Sequence, residues 1–110
     1  MDTHTTHRVE IAIDHPAFAG HFPGRPMLPG VALVAEAMEA AAADPALARA
    51  IGAAPRLSVV KFLVPVLPGA ELEIAFRLEA RAITFAISEQ GRVAATGQFA
   101  RADLDPGEPR

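Results

Sequence analysis

Residues 71–80, Glu-Leu-Glu-Ile-Ala-Phe-Arg-Leu-Glu-Ala, alternate without a break: Leu72, Ile74, Phe76 and Leu78 on one face, Glu71, Glu73, Arg77 and Glu79 on the other. A strict period of two over this length predicts a half-buried strand whose apolar face closes a core. Ile83, Phe85 and Ile87 repeat the pattern, and beyond a turn at Glu89-Gln90-Gly91 so do Val93, Ala95 and Phe99. Three consecutive antiparallel strands are expected. Upstream, residues 57–64 are apolar on both sides, Leu57, Val59 and Leu63 against Val60, Phe62 and Val64. That is the composition of a strand covered on both faces, closed by Pro65 and Pro68-Gly69.

Further upstream the period changes. From Val31 to about Ala43 nothing breaks a helix, alanine supplies high propensity, and Val31, Val34, Ala35, Met38 and Ala42 form an apolar stripe. Glu36 and Glu39 lie off that stripe. Asp44-Pro45 ends or kinks the helix, and residues 46–55 read equally as a short helix or a connection. Residues 8–13 place Val9, Ile11 and Ile13 on one face and predict a first strand, with His4 and His7 solvent-exposed before it. One strand, a loop, one long helix and at least four further strands make an α+β domain with the helix packed on a curved antiparallel sheet.

The chain has 110 residues, about half of them apolar, no cysteine, and a formal net charge of −3. It is expected to be a single domain, 1–110, with an ordered core of about 8–101 and a frayed tail over 103–110. A chain this short buries only around 60–65% of its extended surface, so edge strands and a small core both favour pairing with a second subunit. The absence of cysteine excludes a disulfide scaffold, a thiolate nucleophile and thiolate metal ligation. With no Lys/Arg-rich run, no apolar signal core and no stretch of roughly 20 apolar residues, the expectations are no nucleic acid, no membrane, and the cytoplasm.

Residues 14–30 contain four prolines and three glycines, which predicts a long ordered loop. It carries Gly20-His21-Phe22-Pro23-Gly24-Arg25-Pro26-Met27-Leu28-Pro29-Gly30-Val31 and opens directly into the helix with Glu36 and Glu39. An imidazole in a stiff loop near carboxylic acids is the pair of groups an elimination needs. Pro23, Pro26 and Pro29 cut the entropy of holding His21, and Gly20, Gly24 and Gly30 admit close approach of a ligand. His15 reads as a loop cap before it reads as chemistry. Arg25 suits either a phosphate or plain solvent.

The run His15-Pro16-Ala17-Phe18-Ala19-Gly20-His21-Phe22-Pro23-Gly24 through Pro29-Gly30-Val31, followed by Lys61-Phe62 and Pro65-Val66-Leu67-Pro68-Gly69, resembles the hot-dog-fold 3-hydroxyacyl-acyl-carrier-protein dehydratases, FabZ/FabA-like and including ApeI-like small members. In order and spacing the resemblance covers roughly residues 8–101. It implies a sheet wrapped around one long central helix, two subunits joining their sheets, and acyl tunnels at the dimer interface. It implies dehydration of a 3-hydroxyacyl thioester, carried on acyl carrier protein, to the trans-2-enoyl thioester, without metal or other cofactor. His21 would be the base, an acid from the partner's central helix would protonate the leaving hydroxyl, and Phe22, Gly24, Met27, Leu28 and Gly30 would contact substrate.

The sequence departs from that pattern at the acid, which in these dehydratases falls fourteen residues after the histidine; here the position is Ala35. Glu36 is one residue late, about 100° around an ideal helix, and Glu39 faces nearly the same way as Ala35 but about 6 Å further along. Glu36 is the first candidate and Glu39 the second. The other readings are a subunit whose partner supplies the acid in a heterodimer, and a thioesterase on the same architecture. Fatty-acid, polyene and polyketide intermediates all remain open as substrates.

Overall fold

The computed structural model describes residues 3–16 and 28–104. Its elements in chain order are β1 (Thr3–Glu10), α1 (Gly30–Ala42), α2 (Pro45–Ile51), β2 (Leu57–Phe62), β3 (Glu71–Leu78), β4 (Ala82–Glu89) and β5 (Arg92–Ala100). The strands form one antiparallel sheet in the order β1-β3-β4-β5-β2. One face of it closes on α1 and α2: Leu72, Ile74, Phe76, Ile83, Phe85, Ile87, Ala95 and Phe99 share a core with Leu33, Ala37, Ala40, Ala41, Leu47, Ala50 and Ile51. This is the α+β hot-dog arrangement, a sheet packed around central helices.

The alternation in 71–80 is realised in β3, where Leu72, Ile74 and Phe76 are buried and Glu71, Glu73 and Arg77 exposed. β4 and β5 join through Gln90 and Gly91, with φ of 50° and 79°. Positive φ at both central residues matches the right-handed twist of a tight hairpin. α2 resolves the ambiguity after Asp44: the Asp44 carboxylate accepts from the N–H groups of Ala46 (3.0 Å) and Leu47 (3.2 Å), with Pro45 in the first turn. Such a cap contributes about 1 kcal/mol.

Five expectations are corrected. β1 begins at Thr3 and stops at Glu10, earlier at both ends than the Val9–Ile13 alternation suggests. Ile11 is buried by leaving the strand, its N–H on Ala70 O and its C=O on Gly69 N–H, both at 2.8 Å, and Ile13 is 79% exposed in the turn that follows. Consequently His4 and His7 lie inside β1; His4 is exposed, but the His7 ring sits edge-on to Phe76 at 5.8 Å with its Nε2 buried and unpartnered.

The strand expected to be covered on both faces, β2, is an edge strand with Leu57, Val59 and Phe62 exposed. Val93 is also exposed, because the register shifts between Ile87 and Ser88. Ile87 pairs with Ala95 and Ser88 with Val93, leaving Ala94 as the extra residue of a bulge. A bulge reverses the in/out parity of everything beyond it.

The last correction concerns α1. Its buried residues are Leu33, Ala37, Ala40 and Ala41, while Val31, Ala35 and Ala42 from the expected stripe are exposed, and Val34 and Met38 are half-buried. A helix apolar nearly all round has no stripe to read, so packing chooses the face.

Beyond β5, Arg101 ties down the chain. Its guanidinium donates to both carboxylate oxygens of Asp103 (2.9 and 2.7 Å) and to Glu79 O (2.8 Å), while Ala102 N–H reaches Ala50 O at 2.7 Å.

Two predictions follow from these contacts. At Gly97 an added Cβ would meet the Phe85 ring at 2.6 Å and the backbone oxygen of Val59 at 2.8 Å. Gly97→Ala should therefore lower denaturant stability by about 1–3 kcal/mol. The hydrogen bond from Arg101 holds the Asp103 carboxyl below the usual carboxylate range. Its contribution is present above that range and lost as pH falls through the lowered value, so Asp103→Asn should weaken the protein near neutrality and flatten its loss of stability in acid.

Candidate active site

The wall of the site begins at the β5 bulge. The carbonyl of Ala94 accepts from the N–H groups of Leu63 (2.8 Å) and Val64 (3.3 Å), which turns the chain after β2 toward the start of α1. Val66, fully buried, returns a carbonyl to Leu28 N–H at 2.7 Å, and Leu28 is itself only 5% exposed. Between this segment and the helix start lies an apolar groove of about 610 Å³. Leu28, Pro29, Gly30, Val31 and Leu33 line one side of it, Phe62 through Val66 the other.

Gly30 is the first residue of α1, and its missing side chain leaves room for the Phe62 ring. A Cβ there would meet the Phe62 ring at 2.6–2.9 Å. The ring thus lies directly over the helix start. Pro29 precedes the helix with φ −60° and ψ 148°, and its carbonyl already accepts from Ala32 and Leu33 N–H. The N–H groups of Gly30 and Val31 lie before these, at the positive end of the helix dipole.

The two candidate acids point apart. Glu39 shares the open face of α1 with Val31, Ala35 and Ala42, opposite the face that packs on the sheet. Glu36 leaves that face by a quarter turn: its side chain is 17% exposed, and its Oε2 lies 3.4 Å from Nε2 of His15, itself 24% exposed. His15 stands just past the β1 turn, its backbone N–H on Ala12 O at 3.0 Å. Sequence spacing brings these residues together only through the fold, since 21 positions separate them.

Of the other sequence-predicted site residues, Leu28 and Gly30 line the groove, whereas His21, Phe22, Gly24 and Met27, with Arg25, lie outside the described residues. Phe62 is wall and Phe76 is core, 1% exposed. Leu63, Val64 and Val66 were not legible as site residues, because the bonds to Ala94 and Leu28 that place them are between distant backbones. Among the described residues no cluster of His, Asp or Glu could hold a metal ion, and no helix is long and apolar enough to cross a membrane.

A family model described as ApeI-like, ApeI dehydratase, matches residues 1–98. The 3-hydroxyacyl-[acyl-carrier-protein] dehydratase FabZ of Geobacter metallireducens is 39% identical over 71 residues, 58% of this chain and 47% of that protein. The chain spans about half the length of the first curated relatives it matches. Among solved structures, an uncharacterized protein from Erwinia carotovora subsp. atroseptica is 27% identical with a TM-score of 0.76, covering 92% of this chain and 84% of that one. The dehydratase heterocomplex ApeI:P from Xenorhabdus doucetiae is 23% identical with a TM-score of 0.74, covering 92% and 93%.

The packing at the groove yields a contrast with Gly97. At Gly30 an added methyl meets only the far edge of a half-exposed ring, which can swing aside, and alanine favours the helix. Gly30→Ala should change denaturant stability by less than about 1 kcal/mol.

Proposed function

The chain belongs to the ApeI-like dehydratase family, within the hot-dog dehydratases and hydratases that also include FabZ-like members, and we propose that it acts as one half of a two-chain dehydratase. It contributes His21 as base, and a second hot-dog subunit contributes the acid. The substrate is a 3-hydroxyacyl thioester on acyl carrier protein, in fatty-acid-like, polyene or polyketide synthesis; the product is the trans-2-enoyl thioester.

The observation that carries this reading is Ala35. It stands where the family pattern has the acid, on the open face of α1, and the nearest carboxylate, Glu36, is turned off that face against His15 of its own chain. The surfaces around it suit a partner. Val31 is 78% exposed, Val59 47%, Phe62 50% and Leu63 56%, and β2 has β5 on one side and an open ladder on the other. Apolar residues and an open edge in one region mark an interaction surface. The solved ApeI:P structure, by its own description, is a dehydratase heterocomplex.

In this reading His21 takes the proton from the carbon next to the thioester carbonyl. The electron pair moves onto the carbonyl oxygen, and the developing enolate is stabilised by N–H groups at the α1 start, those of Gly30 and Val31. Collapse of the enolate forms the C2–C3 double bond and expels the 3-hydroxyl. Hydroxide is a poor leaving group, so the partner's carboxylic acid delivers a proton and water departs. An apolar surrounding raises the pKa of such an acid and keeps it protonated.

The test is enoyl-thioester formation from a 3-hydroxyacyl carrier-protein substrate. The isolated chain should be inactive or nearly so, and Ala35→Glu, on an exposed position that tolerates it, should raise its rate by about 10²-fold or more. His21→Ala should abolish that gain. Full activity of the unmodified chain alone, lost in Glu36→Gln, would instead make Glu36 the acid of a homodimer. Release of free thiol in place of enoyl product would indicate a thioesterase.

A further inference from the structure

The contact between His15 and Glu36 belongs to one chain, and it joins the turn after β1 to the flank of α1. Both side chains are largely covered, at 24% and 17% exposure, so the contact is screened less than a surface ion pair. His15 is held at its backbone as well, by the 3.0 Å bond to Ala12 O, and Pro16 restricts the conformation of the residue before it. At the far end of the same stretch, Leu28 is fixed by its bond to Val66 O and by its own burial. The chain therefore enters and leaves residues 17–27 at two anchored points, and His21 lies between them in sequence.

We propose that His15 and Glu36 form a positioning pair for the reaction: the imidazole N–H of His15 donates to the Glu36 carboxylate and locks the entry of the His21 segment to the helix. This role rests on the dehydratase reading above and deepens it. A general acid must point its proton toward the leaving hydroxyl, whereas the Glu36 carboxyl is turned toward His15 of its own chain, with Oε2 at 3.4 Å from Nε2. In this role Glu36 is an acceptor that holds geometry, and the proton donor lies elsewhere. The requirement for such a lock is steep, because a displacement of about 1 Å in a reacting group can cost about a hundredfold in rate.

Two measurements test this. The first needs no reaction: in imidazole nitrogen-15 spectra of the purified chain, Glu36→Ala should displace the His15 Nε2 resonance and leave that of His4 in place. An unmoved His15 resonance overturns the pairing. The second uses the chain co-purified with its hot-dog partner, or the Ala35→Glu chain, on a 3-hydroxyacyl carrier-protein substrate. His15→Leu should lower kcat by about tenfold or more with little change in KM. His15→Gln, which keeps an N–H at the reach of Nε2, should recover most of that loss, and Glu36→Gln, which keeps an acceptor, should lose activity only in part and stay far above His21→Ala.

Loss of activity in Glu36→Gln as complete as in His21→Ala would make Glu36 the acid and overturn the positioning role, as would an unchanged kcat in His15→Leu. If no enoyl thioester forms in any of these proteins, the dehydratase reading fails and the role falls with it, while the spectra still report whether the pair exists.

Discussion

The setting of α1 about its own axis is the constraint on which the rest of the molecule depends. Leu33, Ala37, Ala40 and Ala41 press onto Leu72, Ile74 and Phe76 and their neighbours in the sheet, and three of those four helix residues are alanines. Small side chains let a helix sit close to a sheet at native packing density, and once seated it cannot rotate without opening voids. That setting turns Val31, Ala35, Glu39 and Ala42 to the open side and leaves Glu36 on the flank. Every chemical property of the helix is a consequence of that rotation.

A second constraint acts through the backbone. The bulge at Ala94 presents a carbonyl that gathers Leu63 and Val64, and Val66 then gathers Leu28, so the groove at the helix start is walled by main-chain hydrogen bonds between segments far apart in sequence. Such bonds in a covered region are costly to leave unmade. Phe62 over Gly30 and Phe85 over Gly97 follow one rule, a ring occupying the space of a missing Cβ. They differ in their surroundings: Phe62 is half-exposed, whereas Phe85 is buried and the backbone oxygen of Val59 also crowds the position.

In the proposed reading these two constraints distribute the chemistry unusually in this chain. The apolar groove and the positive end of α1 suit an acyl thioester and its enolate, yet the open helix face offers alanine where the proposed reaction needs a proton donor. Exposed apolar residues along β2 and at the helix start lie beside that gap. A second chain seated there would cover the apolar surface and complete the pair of acid and base in one event, so assembly and catalytic competence would be linked by the same free energy.

The sequence by itself determined the α+β class, the three-strand meander from residue 71 onward, the end of the helix at Asp44-Pro45, and the family through the Gly20–Val31 run. Each of these is local: a period of two, a turn requiring positive φ, a residue that cannot continue a helix. Only the tertiary structure decided what depends on contacts between distant segments. It set the Thr-rich start of β1 in the sheet, because Thr3–His7 finds its partners 70 residues away on β3, and it put β2 at the edge. It turned Val93 outward through a one-residue bulge. It also chose the buried face of a helix that is apolar nearly all round, and so placed Glu36 against His15 and Ala35 in the open. An amphipathic pattern names its buried face in advance; an alanine helix does not, and the closest available packing decides.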